Sequence, residues 1–119
     1  MQFVLLIYQG TTPLPNSEEW NRFSEEEKKG IYTEYESLNK TPGLTPGFPL
    51  GLAKDAITVR VQNGETLSTK GPFVDPRGAV GGYFMLEADN LDAAVKLAAR
   101  VPAARLGGAI EVRPVAKYW

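Results

Sequence analysis

Three short apolar runs predict the strands of a β-sheet. Residues 3–8 and 82–88 are rich in β-forming residues and apolar at successive positions, a pattern typical of strands that are buried on both faces. Residues 109–115 alternate instead, with Ile110 and Val112 on one face and charged residues on the other. We therefore expect two strands covered on both faces and a last strand with one polar face.

A β-hairpin is predicted in the middle of the chain. Residues 56–61 alternate, and their apolar members share one face; these are Ile57, Val59 and Val61. The Asn63-Gly64 pair that follows is a strong signal for a type I′ turn and leads into a second strand at 65–70. Residues 41–51 contain three prolines and three glycines, so we expect a connector there.

Two helices are predicted from helical spacing and from capping residues. Within residues 17–40 the large apolar residues fall near helical spacing with acidic residues between them; they are Trp20, Phe23, Ile31, Tyr35 and Leu38. Ser24 and Glu27 fit a capping box. A second helix is expected after Asp89 or Asn90, either of which can cap it. We interpret the aromatic stripe of the first helix as core packing.

The predicted order of elements is β-α-β-β-α-β once the strand at 56–61 is set aside as an addition. This is the ferredoxin-like split βαβ plan, an α+β fold in which residues 3–8 and 82–88 form the central strands. Two helices cover only one face of such a sheet, and a second copy of the sheet would cover the other. We therefore expect one domain over residues 1–119, with an added hairpin strand, paired into a homodimer.

Composition narrows the chemistry that the chain can carry. With 43% hydrophobic residues, a formal net charge of −1 and no cluster of Lys or Arg, neither disorder nor nucleic-acid binding is expected. The chain contains 0 His and 0 Cys, the residues on which zinc and iron sites usually depend, so we expect no metal and no cofactor. The first apolar run is too short for a membrane span and lacks a basic start, which predicts a soluble, cytoplasmic protein without membrane association.

The loop at residues 70–82 has the most constrained backbone in the sequence. Pro72 and Pro76 fix their own φ and push the residues before them out of the helical region. The loop also places charged side chains between apolar strands; they are Lys70, Asp75 and Arg77. A ligand pocket with charged walls is one interpretation. A rigid connection pinned by an Asp75–Arg77 or Asp75–Lys70 ion pair is the other.

Several motifs, in order along nearly the whole chain, match one known family. They are Leu5-Leu6-Ile7-Tyr8, Thr58-Val59-Arg60-Val61, Gly71-Pro72-Phe73, Gly81-Gly82-Tyr83-Phe84, Glu87-Ala88-Asp89-Asn90 and Glu111-Val112-Arg113-Pro114. On these motifs the chain resembles the YCII-related family, in its DGPF-domain (YciI-like) branch. The resemblance implies a ferredoxin-like domain that forms a dimeric α+β barrel.

The resemblance leaves open whether the chain is an enzyme. YciI-like members resemble enzymes because of a His–Asp pair, and this chain has no histidine. Lys70 stands where relatives carry an acid, and Gly78 replaces the second acid of a Glu-x-Lys-Glu pattern. Asp75 and Arg77 keep the charge types of that pattern's first Glu and its Lys. These departures imply either a lost activity or a pocket suited to a more negative ligand.

The candidate site is centred on the loop at 70–82. Asp75 is the candidate catalytic residue, as a general base. The candidate ligand-binding residues lie in the loop and on neighbouring strands; they are Lys70, Phe73, Arg77, Tyr83, Tyr8, Arg60, Glu111 and Arg113. Lys70, Arg60 and Arg77 could together hold an anionic group, which predicts an anionic small molecule as the ligand. The rigid backbone and the aromatic side chains are typical of a small-ligand pocket.

Two functions fit these features. The first is a small-molecule-binding dimer, with or without catalysis, whose pocket lies at the 70–82 loop. The second is a non-catalytic dimeric interaction module. Genes of the DGPF branch often accompany alternative sigma factors, so the resemblance implies a link between such a module and stress regulation. A ligand that raises the thermal midpoint would distinguish the first function from the second.

Overall fold

A four-stranded antiparallel sheet and a separate hairpin make up the β-structure. The computed structural model describes residues 1–15 and 17–118, with the side chains of all of these except Arg77. In chain order the elements are β1 (Gln2–Tyr8), α1 (Glu18–Asn21), α2 (Glu25–Asn39), β2 (Leu44–Pro46), β3 (Ile57–Gln62), β4 (Glu65–Lys70), β5 (Val80–Glu87), α3 (Leu91–Ala98) and β6 (Ala109–Pro114). The sheet has the order β2-β5-β1-β6, and β3 pairs with β4. The predicted α+β class is confirmed; the strands of the described residues form no closed barrel.

The two strands predicted to be central, β1 and β5, lie in the middle of the sheet. Leu5 of β1 is paired with Phe84 on one side and with Val112 of β6 on the other. One face of the sheet packs against the helices and forms the buried core. The core residues come from both central strands, from β2, from α2 and α3, and from the segment after α3; they are Phe3, Leu5, Leu38, Leu44, Phe84, Leu86, Ala94, Ala98, Val101 and Ala103.

The opposite face of the sheet is apolar as well. We call this the open face; it is formed by Val4, Leu6, Tyr8, Tyr83 and Met85. Most of these side chains are half-buried, and Met85 is 39% exposed. The continuous apolar pattern of β1 and β5 therefore reflects two different surroundings: the helices bury one face, and the other is only partly covered within the chain.

The edge strand beside β5 differs from the one that the sequence predicts. β2 pairs Leu44 with Leu86, although residues 41–51 were expected to be a connector. A proline is tolerated in an edge strand because one side of that strand needs no ladder hydrogen bond. The strand at 65–70 was expected in the sheet, and this was wrong, because it belongs to the separate hairpin instead.

We call the β3–β4 hairpin, residues 57–70, the arm. Its Asn63-Gly64 turn is confirmed, with φ of 52° and 78° at the two residues, values that fit a type I′ turn. The alternation of β3 places its apolar residues on one face, as predicted. Every residue of β3 and β4 except Thr58 is nevertheless exposed, because no second layer of the described residues covers the arm.

The helical segment at 17–40 divides into two helices with separate caps. Ser17 Oγ accepts a hydrogen bond from the Trp20 amide at 3.1 Å, which begins α1. Ser24 and Glu27 form the predicted capping box at the start of α2. Asn90, the second of the two predicted caps, begins α3. Within the described residues, no helix combines the length and the apolar composition that crossing a membrane requires.

Gly30→Ala is expected to stabilise the protein by about 0.5–1 kcal/mol, since glycine in a helix interior costs conformational entropy. Gly30 lies inside α2, and a Cβ built there would meet nothing within 4 Å. Urea unfolding monitored by circular dichroism would measure the change. An unchanged or lower free energy of unfolding would contradict this view of α2.

Candidate functional site

A cavity of about 450 Å³ lies between α2 and the helix-covered face of the sheet. Its walls come from parts of the chain that are distant in sequence. The loop at 9–15 forms one side, and α1 and α2 form a second. The segment at 46–50, the first half of β5 and the segment at 102–106 complete it. The cavity extends the core layer beyond the packed side chains, at the end of β1.

Aromatic and proline residues dominate the lining. The aromatic members on the helix-covered side are Trp20, Tyr32, Tyr35, Phe48 and Phe84, Tyr83 borders the cavity from a strand position on the open face, and the prolines are Pro13, Pro15, Pro46, Pro49 and Pro102. Residues with polar side-chain groups are few; they are Gln9, Thr12 and Asn39 together with the tyrosines and Trp20. None of the described residues that line the cavity carries a charge. Such a lining favours an uncharged, largely apolar molecule over an ion.

The loop at 9–15 is held against the segment that precedes β6 by close backbone contacts. Gly10 has a φ of 55°, and a Cβ at this position would overlap the carbonyl oxygen of Gly107. The amide of Thr11 donates to that same oxygen at 3.0 Å. Gln9 Nε2 donates to the carbonyl of Thr12 at 2.9 Å, which closes the loop on itself. A glycine at position 10 is therefore required for the loop to form this wall of the cavity.

The segment at 46–50 continues along β5 beyond the end of β2. The amide of Gly47 donates to the carbonyl of Tyr83 at 2.9 Å, and the amide of Leu50 donates to that of Gly81 at 3.0 Å. The ring of Tyr83 lies against Gly47, in space that a side chain there would occupy. This wall is consequently fixed to the sheet through its backbone.

An aromatic cluster joins α1 to α2 at the cavity. The ring of Trp20 meets the ring of Phe23 at 5.7 Å and that of Tyr32 at 5.6 Å, both in edge-to-face geometry. Pairs of this geometry contribute beyond the area that they bury. The cluster fixes the short helix α1 over the cavity.

Tyr35 supplies a polar group to the lining. Burial raises the pKa of its phenol; a hydrogen bond with the backbone of Ala103 and the charge of Arg105 oppose that shift, and the charge of Glu34 adds to it. The phenol is therefore protonated at neutral pH and can donate a hydrogen bond.

An ion pair beside Tyr35 connects α2 to the segment after α3. Arg105 donates to both carboxylate oxygens of Glu34, at 2.6 and 2.7 Å.

A shallower groove of about 360 Å³ lies at the loop where the sequence predicts the site. Residues 50–53, 55 and 56 form one side, and Pro72, Phe73 and Val74 face them with residues 79–80. Residue Leu50 lines both this groove and the cavity, so the two are neighbours along the same segment.

The predicted site residues on the sheet come together in part. Tyr8 Oη donates to Glu111 Oε2 at 3.5 Å, and the same oxygen lies 3.9 Å from Arg113 Nε. These three residues share the side of the sheet that carries the open face, as the alternation of β6 predicts. Tyr83 lies on that side as well, paired with Leu6 of β1.

The predicted site residues at the arm and loop form a second group. The guanidinium carbon of Arg60 lies 5.8 Å from the centre of the Phe73 ring, within the range of a cation–π contact. Lys70 pairs with Ile57 and so lies on the other face of the arm from Arg60. Asp75 is at the protein surface. The side chain of Arg77 lies outside the described part of the structure, and the combined anion site stays a prediction.

The described residues contain no group of three or more acidic side chains, histidines or cysteines that could hold a metal ion.

Sequence reasoning missed most of the cavity residues. Trp20 and Tyr35 were interpreted as core packing, and residues 9–15 and 46–50 as loop and connector. Helical spacing does not distinguish a side chain that fills a core from one that lines a hole. The available signal was the concentration of prolines at 9–15 and 46–50, since proline-rich segments are rigid enough to form a wall.

The fold and the cavity define a small α+β domain with a ligand-sized, mostly apolar cavity between its sheet and its helices. This class of architecture accommodates many chemistries, so the fold alone assigns no activity. The family model of the YCII-related domain matches residues 1–118, and the chain belongs to that family. Comparison with curated proteins found no match.

Proposed function

We propose that this protein is a homodimeric small-molecule-binding protein of the DGPF branch whose ligand occupies the cavity beneath α2. The observation that carries the proposal is the preformed cavity of about 450 Å³ with an aromatic lining. Ligand sites typically measure about 300–1,000 Å³ and combine apolar walls with a few polar groups. Backbone hydrogen bonds hold two of its walls, so little ordering is needed when a ligand enters.

The ligand that fits is uncharged and contains at least one ring. Rings stack against aromatic walls, and the lining is rich in these. Gln9, Tyr35 and Asn39 supply the polar groups that would orient the ligand. A charged group in the cavity would lose its hydration without gaining a partner of opposite charge among the described lining residues. The anionic ligand suggested by Lys70, Arg60 and Arg77 is a separate proposal for the arm and loop.

The homodimer is proposed from the open face. Its apolar residues are only partly covered by this chain, and a second copy would bury them against the same residues across a two-fold axis. Two sheets joined in this way would produce the dimeric α+β barrel that the family resemblance implies. The role of Asp75 as a general base, and with it any catalysis, stays a prediction.

Two fluorescent probes with the same skeleton test the ligand class. N-phenyl-1-naphthylamine is uncharged, and 1-anilinonaphthalene-8-sulfonate adds one sulfonate. We expect the neutral probe to bind saturably with one site per chain, and the anion to bind at least about tenfold more weakly, a difference of about 1.4 kcal/mol. Tighter binding of the anion would contradict the cavity and support the cationic site at the arm. Failure of a folded protein to bind either probe, together with capture of a specific protein partner, would favour the interaction module.

A further inference from the structure

The arm stands apart from the rest of the chain. Its two strands pair with each other and with no other strand of the described residues. Of its strand residues, only Thr58 is even half-buried. A two-stranded hairpin by itself is at best marginally stable in water, so an arm of this kind needs a surface to pack against.

The two faces of the arm differ in their local support. On one face Arg60 contacts the Phe73 ring, and Thr58 Oγ1 donates to the carbonyl of Gly71 at 2.7 Å. The other face carries three β-branched residues in a row, which we call the apolar arm face; they are Ile57, Val59 and Val61, exposed at 61, 60 and 67%. A contiguous patch of three apolar side chains with such large exposed fractions is unusual for a surface that has no binding partner.

The accessible surface area of the chain indicates how much area a partner could cover. The accessible area is 8584 Å², whereas a compact monomer of 13.0 kDa is expected to expose about 6,300 Å². The excess is about 2,200 Å² per chain. Obligate homodimers bury about 2,000–5,000 Å² in total, or roughly 1,000–2,500 Å² per subunit. The radius of gyration, 16.3 Å, also exceeds the roughly 13.5 Å expected for a compact domain of this length.

We propose that the apolar arm face packs on a second copy of this chain, so that each protomer of the homodimer is held by the arm of the other. This inference rests on the homodimer of the proposed function and identifies an element that stabilises it. A second copy fits because the excess surface matches an obligate homodimer interface in size. The open face, which the proposed homodimer buries against its own copy, is a second apolar part of the same interface, and obligate interfaces are of apolar character.

Charge does not oppose this pairing. The formal net charge of the chain is −1, so two copies repel each other only weakly. The apolar arm face carries the cation Lys70 at its base, beside Ile57, and its remaining cross-strand neighbours are Ser68 and Thr66. An apolar stripe with a polar border matches the core-and-rim pattern of protein interfaces.

Charged substitutions on the two faces of one strand test the inference. Val59→Lys places a charge on the apolar arm face, and Gln62→Lys places the same charge on the opposite face. In sedimentation experiments we expect Val59→Lys to raise the dimer dissociation constant at least about tenfold and Gln62→Lys to leave it within a factor of about two. An unchanged constant in Val59→Lys would overturn the inference.

A third variant distinguishes failure of the arm from failure of the dimer. Met85→Lys disrupts the open face instead. If Met85→Lys weakens the dimer and Val59→Lys does not, the homodimer stands and the role of the arm is wrong. A wild-type protein that sediments as a monomer at 100 micromolar, roughly the limit for a specific weak dimer, would overturn both.

Thiol protection offers a test without disrupting the interface. The chain has 0 Cys, so a single cysteine at the arm is a unique probe. We expect N-ethylmaleimide to alkylate Val61→Cys more slowly as protein concentration rises through the dimer transition, and Gln62→Cys at a constant rate. Concentration-independent alkylation of Val61→Cys in a protein that dimerises would show that the apolar arm face stays in water.

Discussion

Gly82→Leu is expected to lower the affinity for N-phenyl-1-naphthylamine by at least about tenfold while the protein stays folded. Gly82 is a buried residue of β5 that lines the cavity. A Cβ at this position would lie 3.7 Å from Ile7 Cδ1 and 3.9 Å from the carbonyl oxygen of Phe48, which are ordinary contacts. Ile7 and Phe48 both line the cavity, so the rest of the leucine side chain would occupy space that the probe needs.

The matched control is Gly30→Leu, which adds the same side chain in α2 where the nearest space is open. Its affinity for the probe should equal that of the wild type. Fluorescence titration, with circular dichroism to confirm folding, measures both variants. If Gly82→Leu binds the probe as tightly as the wild type, the probe and the proposed ligand site are not in this cavity.

Gly10→Ala is expected to lower the free energy of unfolding by about 2–5 kcal/mol, a large share of the roughly 5–15 kcal/mol typical of a domain. Two costs combine at this position. The left-handed φ of 55° strains any residue with a Cβ, and the added carbon would overlap the carbonyl oxygen of Gly107. Relief of that overlap must move the loop at 9–15, so the affinity for the neutral probe should fall as well.

Gly64→Ala separates the two costs. Gly64 also has a positive φ, 78°, but a Cβ there would meet nothing within 4 Å. We therefore expect it to lose only about 1–2 kcal/mol, from backbone strain alone, with unchanged probe binding. Urea unfolding of the two variants provides the comparison. Equal losses would mean that the overlap between the added carbon and the Gly107 carbonyl adds no cost to the backbone strain.

The sequence predicted the helix caps and the hairpin turn, because each depends on residues that are close together in the chain. The capping box at Ser24, the cap at Asn90 and the Asn63-Gly64 turn are each decided by residues within a few positions of one another. The apolar runs of β1 and β5 likewise predicted the two central strands, because a strand with apolar residues on both faces is excluded from an edge exposed to water.

Nonlocal contacts explain where those expectations were wrong. β2 is a strand of three residues, and it exists because β5 offers a free edge at Leu86, which the composition of 41–51 does not reveal. The alternation in β3 is the same whether its apolar face is buried in a sheet or exposed on an arm. Only the position of the hairpin relative to the sheet decides between these outcomes.

The structure brings together some of the candidate site residues that the sequence predicts and separates others. The sequence predicts Tyr8, Glu111 and Arg113 as members of one site, and in the structure Glu111 lies beside each of the other two residues. It placed Arg60 and Lys70 together as well, but the pairing of β3 with β4 assigns them to opposite faces of the arm.

By itself, the sequence determined the α+β class, the central strands, the helix caps and the hairpin turn, since all of these follow from side-chain spacing and backbone preferences over short stretches. The tertiary structure alone decided the edge strand, the exposure of the arm and the existence of the cavity. The cavity requires the loop at 9–15, the helix α2 and the segment at 46–50 to meet, and these segments are distant from one another in the sequence. Empty space between distant segments has no pattern in a linear sequence, because it depends on how completely the folded chain fills its own volume.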